Sequence, residues 1–232
     1  MGGVPRHVGI VMDGNRRFAK SLNLNPWKGH EYGEKKVFDL LSWAKDAGIK
    51  EVTVYAFSSQ NINRPKKEFD YLMKIFLSAA NKALGDSEFL TSGTKVRILG
   101  DISPFPQEVQ AKLQELVDVT ENNNNYFFNL ALGYGGREEI VRAVKNIALK
   151  VKEGLIDPCD IDEELFQDYL YLRSDPDLII RTGGNCRTSN FLPWQSIYSE
   201  WFFVDKKWPE FSREDFIECV EAFSNRERRF GK

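Results

Sequence analysis

Short apolar, β-branched runs alternate with longer amphipathic stretches along this chain, and that rhythm predicts strands and helices in turn. Apolar runs at 7–12, 52–57, 95–99, 126–132 and 178–181 predict strands, with a further strand around 199–204. Between them, apolar positions at helical spacing predict helices at 33–47, closed by Gly48, and at 66–84, 107–119, 137–152 and 213–228. This alternation predicts one α/β domain over 1–232, a largely parallel central sheet flanked by helices. No internal repeat or low-complexity segment interrupts it, and Asn122 to Asn125 reads as a turn.

Composition narrows the classes. The 232 residues suffice for one sizeable core. With 32 Lys plus Arg against 34 Asp plus Glu, the charges nearly cancel, which argues against a nucleic-acid partner and confines any phosphate recognition to a local site. Cys159, Cys186 and Cys219 are odd in number and far apart, fitting neither a disulfide framework nor a zinc ribbon, so a reducing, cytoplasmic setting is expected. No apolar run approaches the roughly 20 residues of a membrane span, which leaves peripheral membrane contact open.

Candidate chemistry gathers just after predicted strands, where open α/β sheets bind ligands. The first segment runs Asp13 to Arg17. Gly14 permits a tight turn, Asn15 is expected to cap a helix, and Arg16 and Arg17 begin that helix, so free N–H groups, a dipole and two guanidinium groups converge on an anion site. Asp13 beside a phosphate site makes sense if a hard cation such as Mg2+ lies between. A solvated surface turn reads the same segment as well.

The second segment, Phe57 to Pro65, offers Ser58, Ser59, Gln60, Asn61 and Arg64, which alone also read as a polar loop before a helix. The third, Ile179 to Phe191, brings Arg181, Arg187, Thr188 and Ser189 around a Gly183-Gly184 pair, a plausible diphosphate clamp. The fourth holds Glu200 among aromatics, which by itself reads as a solvent-facing strand residue. No GxxxxGK[ST] or GxGxxG loop and no Ser nucleophile elbow is present, and His7 and His30 form no metal-ligand cluster with the cysteines. The apolar face of helix 66–84, with Phe69, Leu72, Met73, Ile75, Phe76, Ala79 and Ala80, reads either as a tunnel wall or as an ordinary core stripe.

Taken together, HVGIVMDGNRRFAK, GHEYG, YAFSSQNINRP, LGYGGR and DLIIRTGGNCRTSNFLPWQSIYSEWFF followed by WPEF resemble the cis-prenyltransferases, the undecaprenyl and dehydrodolichyl diphosphate synthase group, over residues 5 to 231. The resemblance implies a homodimer or related heterodimer and Mg2+-dependent addition of isopentenyl diphosphate to an allylic prenyl diphosphate, giving a Z-polyprenyl diphosphate. It implies that Asp13 is the magnesium-linked carboxylate and that Glu200 is a second one. Gly14, Asn15, Arg16 and Arg17 match the allylic diphosphate cradle, with Phe18 its aromatic neighbour and His30 the histidine of the GH pair. Arg181, Arg187 and Ser189 match the isopentenyl diphosphate clamp.

Asn61 matches a position assigned as proton acceptor. A neutral carboxamide is a poor base, so orienting a diphosphate oxygen or a water suits it better. Arg229-Phe230-Gly231 resembles an ending that reaches a partner's active site. Departures lie at Pro26, Gln60, Ile62, Asn185 and Cys186, where the family commonly has Arg, Glu, Trp, Glu, and Gln or His. They bear on the starter and on the number of additions, which leaves a short-chain synthase as an alternative. A non-catalytic partner subunit is disfavoured by Asp13 and the Arg16-Arg17 pair, and a nucleotide-binding protein rests on fold analogy alone.

Overall fold

The structure, a computed structural model, describes residues 3–226. Its centre is a six-stranded sheet in the order β3-β4-β2-β1-β5-β6, parallel throughout. The strands are β1 (His7–Val11), β2 (Glu51–Ser58), β3 (Thr94–Leu99), β4 (Tyr126–Tyr134), β5 (Leu178–Arg181) and β6 (Glu200–Phe203). β1 lies between β2 and β5 and is buried at all five positions, as its unbroken apolar run requires.

The helices are α1 (Asn15–Ser21), α2 (Gly29–Asp46), α3 (Lys66–Gly85), α4 (Ser87–Thr91), α5 (Gln107–Val119), α6 (Gly136–Lys152), α7 (Glu163–Asp168) and α8 (Arg213–Ser224). Val8, Ile10, Val52, Val54 and Phe128 pack with Leu40 and Ala44 of α2 and Phe216 and Val220 of α8. A second cluster joins Phe57 and Leu132 at the carboxyl ends of β2 and β4 to Leu72 and Met73 of α3 and Leu113 of α5. A third, with Val11, Ala131, Ile179 and Phe191, packs Tyr55 and Tyr134 on the chain around Leu172 and Leu192.

The expected alternation is observed, with four differences. Helix α2 begins at Gly29, four residues before the apolar periodicity does. The reason is a close crossing: a Cβ on Gly29 would lie 1.9 Å from the Asn15 carbonyl oxygen, and one on Gly33 would lie 2.4 Å from Asn15 Oδ1. The glycines of GHEYG therefore let α2 seat on the start of α1. Strand β4 runs on to Tyr134 through Gly133, and α4 and α7 are short helices without a clear periodic signal. Helix α8 ends at Ser224, and Arg229-Phe230-Gly231 lies outside the described residues.

Candidate active site

The turn after β1 organises the site. Gly14 takes φ 103°, a left-handed conformation that suits glycine, and it occupies the N-cap of α1. This corrects the expected capping by Asn15: that side chain makes no cap bond and turns back to donate from Nδ2 to the Met12 carbonyl at 3.0 Å. Asp13 instead shields the helix start, its Oδ1 accepting from the Gly14 N–H at 2.6 Å. The turn is pinned from below, where the Asp13 carbonyl accepts from Thr182 Oγ1 at 2.8 Å and from the Trp208 N–H at 2.9 Å. Trp208, fully buried, donates its indole N–H to the Gly33 carbonyl at 2.8 Å, so the WPEF segment locks the Asp13 turn to α2.

Around the Asp13 carboxylate four donors converge. Oδ2 accepts from Arg181 Nη2 and from Asn185 Nδ2, both at 2.9 Å, and Oδ1 accepts from Arg17 Nη2 at 3.3 Å besides Gly14. Burial, the largest single influence, favours the protonated acid, but the bonds from Arg181, Asn185 and Gly14 outweigh it and hold the carboxyl below its usual range. Arg181, 3% exposed at the end of β5, also donates from Nη1 to Ser189 Oγ at 2.7 Å and to the Arg187 carbonyl. The clamp segment thus folds back on its own strand end, as its Gly-Gly pair suggested.

A cavity of about 480 Å³ opens at this point, inside the usual size range of ligand sites. Asp13, Asn15, His30, Ser58, Gln60, Asn61, Arg64, Arg181, Arg187 and Ser189 line its polar part. The same cavity is lined by Val37, Phe76, Ala80, Ala83, Leu113 and Phe128 of α2, α3, α5 and β4, together with Glu34, whose carboxyl is pushed up by burial.

His30 is half-buried, and the loss of solvent followed by the charges of Arg64 and Arg16 pushes its imidazole down to about 4, so it is neutral at pH 7. Its Nε2 has no protein partner. Asn61 Oδ1 accepts from the Ser58 N–H at 3.2 Å, which leaves its NH2 as the available group. Such a group donates to an oxygen and takes no proton, in line with the doubt raised by carboxamide chemistry. The short helical turn Ser59–Asn63 that carries it presents Ser59 and Gln60 to Glu138.

Other sequence-predicted residues stand apart from the cavity lining. Arg16 is half exposed, 3.9 Å from the Glu68 carboxylate, which Arg64 holds at 2.9 Å. Phe18 packs edge-on against Tyr32, Ile62 joins the cluster around Phe57, and the Thr188 carbonyl accepts from the Phe191 N–H. Glu200 is level with Leu178 and Val8, at the amino ends of the strands, three register positions from the Arg181 end, and it pairs with Arg226 at 2.8 Å. At about 3.3 Å per residue that is some 10 Å along the strand, so a single chain does not bring Glu200 to Asp13.

Asn185, Glu68 and Glu138 are site residues that the sequence reading passed over. Glu68 had a signal, since it follows Arg64 by four residues on one helix face. Asn185 registered only as a departure, and nothing local marks Glu138. Among the described residues no group of three or more His, Cys, Asp or Glu could form a metal cage. A lone carboxylate ringed by cationic and polar donors nevertheless has the chemistry for Mg2+ shared with a bound phosphate, since that ion is held by one or two carboxylates together with substrate phosphates and water.

The family model described as "Putative undecaprenyl diphosphate synthase" matches residues 11–231. A Methanopyrus kandleri protein named tritrans,polycis-undecaprenyl-diphosphate synthase (geranylgeranyl-diphosphate specific) is 47% identical over 234 residues, covering all of this chain and 86% of its own. An isoprenyl transferase of Thermus thermophilus is 44% identical over all of this chain and 90% of its own. Among solved structures, lavandulyl diphosphate synthase from Lavandula x intermedia in complex with dimethylallyl diphosphate superposes with a TM-score of 0.92 at 35% identity, over 99% of each chain. A probable undecaprenyl diphosphate synthase from Campylobacter jejuni gives 0.82 at 31% identity over the whole of both. With its parallel sheet, its donor-ringed Asp13 and these relatives in agreement, the chain belongs to the undecaprenyl diphosphate synthase family of prenyltransferases, the cis-prenyltransferases that its motifs resemble.

Proposed function

We propose that the protein condenses isopentenyl diphosphate with an allylic prenyl diphosphate, geranylgeranyl diphosphate first among them, to give a long Z-polyprenyl diphosphate. One observation supports this reading: one cavity is lined both by the ionic cluster around Asp13 and Arg181 and by many apolar side chains of α2, α3 and the sheet. That lining suits a diphosphate ester with a growing hydrocarbon tail. Transfer of each five-carbon unit out of water contributes up to about 4 kcal/mol, so the tail stays while the head reacts. Relatives specific for geranylgeranyl diphosphate, at 45–47% identity, support the starter.

Ionising the allylic ester gathers charge on its diphosphate, and preorganised donors lower that barrier. Arg17, Arg16 and the N-terminus of α1 supply them. Arg181, Arg187 and Ser189 hold the second diphosphate, and the shared mouth brings the isopentenyl double bond to the allylic carbon. Asp13 would hold Mg2+, which when bound neutralises diphosphate charge. Asn61 orients an oxygen with its NH2. The released proton goes to the diphosphate oxygen or water that Asn61 orients, since the burial and the arginine charges that keep His30 neutral also make it a weak base.

A homodimer fits the outer surface. Val141 and Val144 on α6, with Leu155, Ile197 and Tyr198, are exposed apolar side chains that a second copy would cover. Only Glu200 of such a copy could share a metal with Asp13. No helix among the described residues is long and apolar enough to cross a membrane, and we place the reaction in the cytoplasm, with its product handed to a membrane surface.

The test is incubation with Mg2+, labelled isopentenyl diphosphate and, separately, dimethylallyl, geranyl, farnesyl or geranylgeranyl diphosphate, followed by product-length analysis. Long products, best with geranylgeranyl diphosphate, are expected, and no incorporation from any starter would overturn the reading. One or two additions would decide for a short-chain enzyme, the second reading, which the close superposition on a synthase solved with dimethylallyl diphosphate favours.

A further inference from the structure

The two substrate segments at the cavity mouth are joined by a residue that touches neither diphosphate site. Glu138 lies in the first turn of α6. Its Oε1 accepts from Ser59 Oγ at 3.0 Å and from Gln60 Nε2 at 3.1 Å, on the turn that carries Asn61. Its Oε2 accepts from Asn190 Nδ2 at 3.0 Å, next to Ser189 of the clamp. Asn190 is itself fixed on the helix: its Oδ1 accepts from the Arg137 N–H and its carbonyl from the Gly136 N–H, both at 2.9 Å.

Ser189, Asn190 and Leu192 all have positive φ, at 51°, 64° and 46°, so the clamp is an unusual backbone that depends on outside contacts to keep its shape. The hydrogen bonds run without a break from Gln60 through Glu138 to Asn190, and from the adjoining Ser189 through Arg181 to Asp13. We propose that Glu138 is a positioning residue that couples the two substrate segments, so that filling either diphosphate site strengthens binding at the other.

The proposal rests on the two-diphosphate reading of the mouth. Glu138 is well placed for the role. Burial opposes its charge, but donors from Asn190, its own backbone N–H, Ser59 and Gln60 outweigh that and hold the carboxyl below its usual range. Glu138→Ala removes the link to both segments at once. A glutamine is a poorer probe, because its amide can turn to give its oxygen to Asn190 and its NH2 to the Ser59 hydroxyl oxygen.

The experiment is calorimetric titration of the whole protein, in Mg2+, with isopentenyl diphosphate, with and without an unreactive thiolo analogue of geranylgeranyl diphosphate. In the unaltered protein the analogue should tighten isopentenyl diphosphate binding at least about fivefold, the lower edge of ordinary coupling between sites. In Glu138→Ala each diphosphate still binds alone and the ratio falls to near one. A ratio near one in the unaltered protein, or an undiminished ratio in the variant, overturns the proposal while leaving the function standing. If the unaltered protein binds neither diphosphate, both fall. Should Glu138→Ala not fold, Asn190→Gly, which suits the φ of 64° there, severs the clamp arm and the same ratio decides. A merely structural glutamate would change the unfolding temperature and leave this ratio alone.

Discussion

The two ends of the central sheet both carry buried polar residues, yet only one end is built to act on a ligand. At the amino ends, His7 Nε2 meets Thr53 Oγ1 at 2.7 Å, Asn129 donates to Glu51 and Thr53, and Ser174 and Arg97 add to Glu51. These groups answer one another across β1, β2 and β4, and none lines the large cavity. At the carboxyl ends, the Asn61 NH2, the His30 Nε2 and the arginines around Asp13 border open space. Buried polarity alone is therefore a poor marker of function; polarity with donors left over, facing a cavity, is the better one.

The comparison predicts different kinds of damage at the two ends. At the carboxyl end, Asp13→Ala removes the group on which Arg17, Gly14, Arg181 and Asn185 converge. Turnover should fall at least about 10²-fold, the scale for one electrostatic stabiliser, or roughly 2.7 kcal/mol of barrier. Steady-state kinetics at saturating Mg2+ measures it, and near-normal turnover would remove Asp13 from the mechanism.

At the amino end the loss should appear in stability. Asn129, fully buried, holds Glu51 and Thr53 together, so Asn129→Ala takes one hydrogen bond from each of two buried groups at a cost of about 1–3 kcal/mol. Denaturant unfolding reads that change, while turnover per folded molecule stays as it was. A fall in turnover without a fall in stability would erase the distinction between the two ends.

The same distinction sets what the sequence could reveal. The sheet was legible because parallel strands buried on both faces spell themselves as apolar runs, Val8 to Val11 and Leu178 to Ile180 above all. Asp13, Arg181 and Ser189 were legible because each lies just past such a run. Asn185 and Glu138 were not, since their roles arise from neighbours 172 and 52–79 residues away, a distance that no local spacing encodes. The capping of α1 was misread for a related reason: Asn15 is a fair N-cap residue in isolation, but the tight seat of Gly33 on its side chain leaves the cap to Gly14. Glu200 was matched to a second metal-associated carboxylate by motif alone, and within one chain its carboxylate lies at the opposite end of the sheet from Asp13.

Histidines at the two ends sharpen the contrast through pH. Burial lowers the affinity of both for a proton, His7 between β1 and its neighbours and His30 in the cavity, where Arg64 and Arg16 add to the effect. In the unfolded chain each titrates near 6.5. As pH falls from about 6.5 towards 4, the unfolded chain takes up a proton that folded His30 refuses, so His30 removes up to about 1.4 kcal/mol of stability per pH unit. Unfolding midpoints at pH 6.5, 5.5 and 4.5 should decline less steeply in His30→Gln than in the unaltered protein. Adding isopentenyl diphosphate should flatten the slope from His30, because an anion in the cavity favours the imidazolium, and leave that from His7 unchanged. Equal flattening in His30→Gln would mean that the anion does not sit beside His30.

The smallest effect is expected from Glu200→Gln. Glu200 faces Arg226, whose guanidinium is half exposed and also lies over the Phe202 ring, so the ion pair contributes about 1 kcal/mol at most. In a single chain it stands some 10 Å along the strand from the end where Asp13 begins. The Mg2+ concentration giving half-maximal rate should therefore move by less than about tenfold, below the range seen even for residues that merely support a metal ligand. A shift as large as that from Asp13→Asn would bring the carboxyl and amino ends of two different copies to one metal. The mixing of Asp13→Ala with Glu200→Ala subunits would then restore activity, since one interface in the mixed dimer would keep both carboxylates.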